Sequence, residues 1–228
     1  MEQPVKIENP YKYRFGKFEQ VTKFGHRFYQ TPVGDLPSVT TIISLGSDSQ
    51  WLRDWRAKVG DKEADRVSGL AKRRGTAIHE LVEATLLGYD PKPSIYDLEV
   101  FRSLKPSLAL VSDIECLETC LYSRKLGTAG STDLIAKFDG VRSVIDFKTS
   151  AHDNKTDADI QTYFWQETAY ACCYAELTNK PLIKQLVTII ANDMGSPQVF
   201  VRPLKREYIE KFLECKEKAS LHFQSLSC

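Results

Sequence analysis

Long apolar runs are missing from this chain. No window approaches the roughly 18 consecutive apolar residues of a membrane-spanning helix. The opening stretch, MEQPVKIENPYKYRF, has neither the apolar core of a secretory signal nor the acid-poor, Arg/Ser-rich character of a transit peptide. The expectation is therefore a cytoplasmic protein that is not secreted and has no membrane partner. An excess of one charge is missing too. Lys and Arg number 31 against 30 Asp and Glu, a net charge of +1, so a nucleic-acid partner would need a local basic patch. There is no C-x-x-C pair, and the first of the six cysteines is Cys116. Structural zinc and iron–sulfur clusters are disfavoured, and reduced, mostly buried thiols are expected. No Walker phosphate loop is present, which argues against use of a nucleoside triphosphate. No serine, Ser131 and Ser150 included, sits in a G-x-S-x-G elbow. The segment HELVE carries Glu83 where a zinc protease needs its second histidine.

What remains is an ordinary globular composition, 42% hydrophobic and 27% charged, in 228 residues. That length suits a single domain, 1–228, with 1–45 as an N-terminal β-hairpin elaboration. Residues 12–43 alternate aromatic and polar side chains around Gly16, Gly25 and Gly34, which predicts short strands or hairpins. LPSVTTII then leads into a turn, SLGSDSQ, where Asp48 or Ser49 can cap a helix carrying Trp51, Leu52 and Trp55. Helical spacing of Ile78, Leu81, Val82, Thr85 and Leu86 predicts a helix over 60–88. A Pro-rich loop over 90–97, a helix over 97–110 and a strand over 114–122 follow. Two strands joined by Asp139-Gly140 come next, then a helix over 158–178, strands over 184–192 and 198–204, and a helix over 205–224. The order implies the mixed α/β (α+β) class, with a central mixed sheet flanked by helices.

The informative stretch is GSTDLIAKFDGVRSVIDFKTS, residues 130–150. Asp-Gly is a strong two-residue hairpin signal. Counting back from that turn pairs Phe138 with Val141 and sets Asp133 opposite Asp146 on one face. Lys148 shares the face, opposite the small Ser131. Opposed residues have Cβ atoms roughly 5 Å apart, so two carboxylates there repel by about 3 kcal/mol at an effective dielectric near 20. A divalent cation between them removes the objection, and oxygen ligands suit Mg²⁺ or Mn²⁺. An ammonium beside such an ion can orient or deprotonate water and offset charge on phosphorus. Spacing alone leaves a second possibility open, a solvent-facing hairpin in which Asp133 pairs with Arg142 or Lys137.

These residues resemble the core of the PD-(D/E)XK nuclease superfamily, in its RecB-like branch. STDLIAKFDGVRSVIDFKTS matches its acid-bearing strands, RGTAIHELVE its histidine helix, QETAY its Q-x-x-x-Y helix, and LPSVTTII its N-terminal Ser-x-Thr segment. The similarity spans roughly residues 36–210. Within the branch it is nearest to the mitochondrial genome maintenance exonucleases and their phage relatives. The resemblance implies a restriction-endonuclease-like core. It implies that Asp133 and Asp146 bind metal and Lys148 serves catalysis, with His79 and the Phe147 carbonyl as further ligands. It also implies that Gln166 and Tyr170 face the site and hold the phosphate backbone or the lysine. Helicase segments, cluster cysteines and a mitochondrial leader are not found, which favours a protein of bacteria or of phage-infected cells.

Around this set, Glu118 resembles an acid common at that place in the branch, and Glu83 lies one helical turn beyond His79. Both are possible site residues alongside Ser131. Lys72, Arg73 and Arg74 lie just ahead of His79 and can meet phosphates. Trp51, Trp55, Tyr163, Phe164 and Trp165 can stack bases, although aromatics at helical spacing often serve a core. The resulting expectation is an Mg²⁺- or Mn²⁺-dependent deoxyribonuclease, an exonuclease on single-stranded or end-exposed DNA. It would serve DNA degradation, repair or replication and recombination processing, with replication or recombination proteins as possible partners. The alternatives are an endonuclease on the same core and a non-catalytic DNA-binding subunit.

Overall fold

The computed structural model describes residues 8–47, 50–151, 154–192 and 196–226, with backbone only at 50–52. Strands β1 (Gln20–Lys23), β2 (His26–Thr31) and β3 (Gly34–Pro37) form a small antiparallel sheet. The chain reverses at Phe24-Gly25 with both φ angles positive, the turn that matches strand twist. The sequence reading carries extended structure through LPSVTTII into a turn. Instead, β3 stops at Pro37 and helix α1 (Val39–Gly46) begins. Ser38 caps it, accepting the Thr41 N–H at 3.0 Å. Val39, Ile42 and Ile43 recur at helical spacing and are buried, so packing overrides the strand preference of this β-branched run. The caps expected at Asp48 or Ser49 lie outside the described residues, as do the side chains of Trp51 and Leu52 in α2 (Gln50–Val59).

Helix α3 (Asp61–Leu86) is followed by α4 (Leu98–Leu108). Then β4 (Val111–Ser123), β5 (Thr128–Phe138) and β6 (Val141–Ser150) run as an antiparallel meander. Helix α5 (Gln161–Thr178) crosses over to β7 (Gln185–Asn192), which lies parallel to β6. An antiparallel β8 (Gln198–Pro203) and helix α6 (Arg206–Ser225) complete the chain. The sheet order is β4-β5-β6-β7-β8, a mixed α/β arrangement. Side chains alternate between its faces. Ile135, Val144, Leu186 and Ile190 pack beneath α5, α1 and α6. Leu134, Ala136, Ile145, Phe147 and Val187 pack beneath α3 and α4. The described cysteines are all free thiols. No helix of the described residues is long and apolar enough to cross a membrane.

Glu115 anchors the first half of β4. It accepts from Arg142 of β6 at 2.5 Å, Tyr174 of α5 at 2.6 Å and Lys180 at 2.7 Å. Burial works against its charge, but the Arg142, Lys180 and Tyr174 hydrogen bonds overcome that and hold its carboxyl at about 2. A lowered acid adds stability above its unfolded value near 4.5, and that stability is lost as pH falls towards 2. Glu115→Gln should therefore cost about 1 to 2 kcal/mol at pH 7, after discounting for solvent screening. Urea unfolding of both proteins from pH 7 to pH 2 would show the gap closing below pH 4.5. A gap that stays constant with pH would deny the carboxylate this role.

Candidate metal centre

Pairing between β5 and β6 follows the register set by Asp139-Gly140, from Phe138↔Val141 to Leu134↔Ile145. There the regular pairs stop, short of the direct Asp133–Asp146 and Ser131–Lys148 pairs that counting predicts. Instead the Asp133 carboxylate accepts the Phe147 N–H at 2.8 Å. On the other flank, Leu117↔Leu134 and Thr119↔Thr132 bracket Glu118 and Asp133, which face one another across β4 and β5. Glu118 has φ 47, a left-handed backbone uncommon outside glycine. Asp146 in turn pairs with Thr188 of β7. Three acids thus form a row across three adjacent strands, Glu118, Asp133 and Asp146. Arg142 and Lys137, the partners Asp133 would have in a solvent-facing hairpin, bind Glu115 and Asp113.

Two cations meet this row. His79 of α3 places Nδ1 3.2 Å from Glu118 Oε1 and 3.7 Å from Asp133 Oδ1, and Nε2 3.0 Å from the Phe147 carbonyl. Both ring nitrogens face acceptors, which suits the doubly protonated imidazolium, and to ligate a metal the ring must first give up one of those protons. Burial opposes that charge, yet Asp133 and Glu118 prevail and raise the ring to about 9. Lys148 pairs with Asp146 Oδ2, and its ammonium lies 5.1 Å over the Tyr163 ring. Burial disfavours its charge as well, but Asp146 and Asp133 raise its pKa, so it stays an ammonium. Asp146 is nearly inaccessible at 2% and accepts from Gln166 Nε2 at 2.8 Å. Burial lifts it to about 6 against the pull of Lys148. Burial also raises Asp133, against His79 and Lys148.

Ligand atoms of His79, Glu118 and Asp133 all lie within 4.8 Å of one another. The Phe147 carbonyl adds a fourth donor beside His79. Oxygen donors with one imidazole fit a hard divalent cation such as Mg²⁺ or Mn²⁺. The sequence reading sets the ion between Asp133 and Asp146. In the structure Asp146 is engaged by Lys148 and Gln166, and Glu118 joins the donor cluster in its place.

The remaining sequence candidates divide. Gln166 touches Asp146 rather than the lysine. Tyr170 is 3% exposed, and its hydroxyl is so close to Gly130 that a Cβ there would sit 2.9 Å away. That position makes Tyr170 a core residue beneath β5, out of a ligand's reach. Glu83 accepts from Asn9 at 2.7 Å and so tethers the N-terminal segment. Ser131 lies beside Cys120 of β4. Arg73 and Arg74 line a cleft next to the site, while Lys72 is exposed on the same helix outside that lining. Phe164 is buried against Tyr208, and Tyr163 and Trp165 line a second cleft with Gln166.

One group escaped the sequence reading. Glu167 is fully buried on α5 and accepts from Thr188 Oγ1, directly behind Asp146. Burial, with Asp146 adding to it, raises its pKa well above the usual carboxylate value. Its neighbours Gln166 and Thr168 make the segment look like a solvated face. The only hint in the sequence is an acid inside an otherwise apolar helical stretch.

No family model matches the chain. No curated protein matches it either. Solved structures that are similar include one from Eubacterium rectale named "Putative exonuclease", with a TM-score of 0.42 and 12% identity over 63% of this chain. The chain spans 64% of that protein's length.

Proposed function

We propose that this chain is a divalent-metal-dependent nuclease that hydrolyses phosphodiester bonds in DNA, acting on single strands or free ends. The observation that carries the reading is the row of Glu118, Asp133 and Asp146 with His79 and Lys148 packed onto it. A fold selected for stability alone would not collect three acids across adjacent buried strands. His79, Glu118, Asp133 and the Phe147 carbonyl are the groups to hold Mg²⁺ or Mn²⁺, with Asp146 beside them. Such an ion supplies Lewis acidity and activates water for attack on phosphorus. Lys148, kept charged by Asp146 and Asp133, offers a fixed positive charge to the phosphoryl oxygens as charge builds there. Gln166 holds the Asp146 carboxylate in place, and the Tyr163 ring supports the ammonium. Arg73 and Arg74 supply phosphate contacts beside the centre.

The test sets end-labelled linear single-stranded DNA beside a closed single-stranded circle, in Mg²⁺ or Mn²⁺, with an EDTA control. Loss of the linear strand with an intact circle establishes the exonuclease, and the first label lost gives polarity. Cleavage of the circle shows an endonuclease. If both strands survive in either metal, the site is not a nuclease centre.

A further inference from the structure

A cleft of about 590 Å³ opens beside the acid row, between α3, the turn before α4 and the end of β6. Its walls include Arg73, Arg74 and Ala77 on one side and Thr149 and Ser150 on the other, with Tyr96 at its lip. Its lining adjoins the candidate centre along the chain. Thr149 directly follows Lys148, and Arg74 precedes His79 by five residues of α3, about 7.5 Å along the axis.

Tyr96 is 88% exposed and its neighbour Ile95 81%. Both belong to a turn closed by Asp97 N–H to the Ser94 carbonyl at 3.1 Å. The Ser94 hydroxyl donates to the Asp97 carboxylate at 2.5 Å, which occupies the one acid lining the cleft. Among the described residues no acid pairs with Arg73. A flat ring on a closed turn therefore stands over a cleft that offers an unpartnered guanidinium. An unpaired nucleobase fits both features, because its face can stack on the ring while its phosphate meets the guanidinium. In a duplex the base faces are already stacked on one another, so Tyr96 has nothing to stack against.

We infer that Tyr96 is a base-stacking platform for the single-stranded segment next to the scissile phosphate, with Arg73 contacting its backbone. This rests on the nuclease reading above and adds to it a strand-selecting subsite. Tyr96 gives the protein its preference for unpaired over paired DNA.

Fluorescence anisotropy in EDTA with a labelled short oligothymidylate and a matched duplex tests this, beside cleavage in Mn²⁺. Tyr96→Ala should weaken single-strand binding about tenfold and leave duplex binding unchanged, whereas Tyr96→Phe keeps wild-type affinity. Arg73→Ala should reduce the salt dependence of single-strand binding by about one unit of slope. Unchanged melting of the Tyr96 variants would verify folding. If the parent protein binds and cleaves single strands but Tyr96→Ala does so equally well, the stacking assignment is overturned and the nuclease reading stands. If the parent neither binds nor cleaves, both fall. Equal losses on single strand and duplex would overturn the selectivity role.

Discussion

Asp133→Asn should abolish the proposed cleavage. The expected loss in turnover is on the order of 10³-fold or more, because the change removes a charge that acts where charge develops in the transition state. Asp133 occupies the middle of the acid row. One of its oxygens takes the Phe147 N–H at 2.8 Å, and the other lies 3.7 Å from His79. Asn can keep the hydrogen bond but cannot supply the second anionic oxygen. Mn²⁺ binding, followed by calorimetry, should weaken in parallel. DNA affinity in EDTA should stay within about threefold, since Arg73 and Tyr96 are untouched. The fold should not suffer. Burial raises Asp133, so its charged form is disfavoured in the folded state, and a neutral amide relieves that cost. Melting in EDTA is therefore unchanged or slightly raised. A variant that cuts within about tenfold of the parent would remove the row from the chemistry.

Gly46→Ala produces the largest stability loss. Helix propensity alone favours alanine over glycine by about 1 kcal/mol, and Gly46 is a helical residue at the end of α1. Packing reverses the sign. A Cβ at Gly46 would lie 2.2 Å from the Cys215 Cα and 2.7 Å from its carbonyl, backbone atoms of α6 that cannot swing aside. The two helices must separate, breaking the Lys218 hydrogen bond to the Gly46 carbonyl at 3.1 Å and opening the core around Ile42, Ile43 and Phe212. A loss of about 3 kcal/mol or more is expected, at or above the upper end for overpacking. Urea denaturation measures it directly. A stability equal to or above the parent would mean that the α1–α6 approach is looser than it stands here.

The Gly46 case also marks where the sequence is legible. Gly46 reads as turn punctuation in SLGS, because nothing local reveals that residue 215 lies against it. LPSVTTII reads as extended for the same kind of reason. Its β-branched run has strand propensity, and only the burial of Val39, Ile42 and Ile43 makes it a helix. The meander is legible because Asp139-Gly140 declares both the turn and the register. Once that register is known, Asp133, Asp146 and Lys148 fall on one face without further information. Glu118 is harder to place. The register between β4 and β5 shifts between Ser112 and Cys116, and Glu118 itself leaves the extended conformation, so counting along β4 does not put it beside Asp133. His79 and Gln166 arrive from helices far away in the chain, and only resemblance to a motif points to them. Glu167 shows the opposite failure, since only the apolar stretch around it distinguishes this buried acid, held by Thr188, from a surface one.

The three acids all come from one uninterrupted meander, residues 111–150, and this bears on the order in which the molecule assembles. Hairpins close short loops and form early, whereas the parallel β7 must wait for the α5 crossover. Contact order would therefore draw the acid row together before Gln166 and Thr188 arrive from elsewhere in the chain. During that interval Lys148 is the one cation that the meander itself carries to Asp146. The lysine would then serve as a folding counter-ion, and replacing it with a neutral side chain should slow refolding most at neutral pH and low salt, where carboxylate repulsion is strongest.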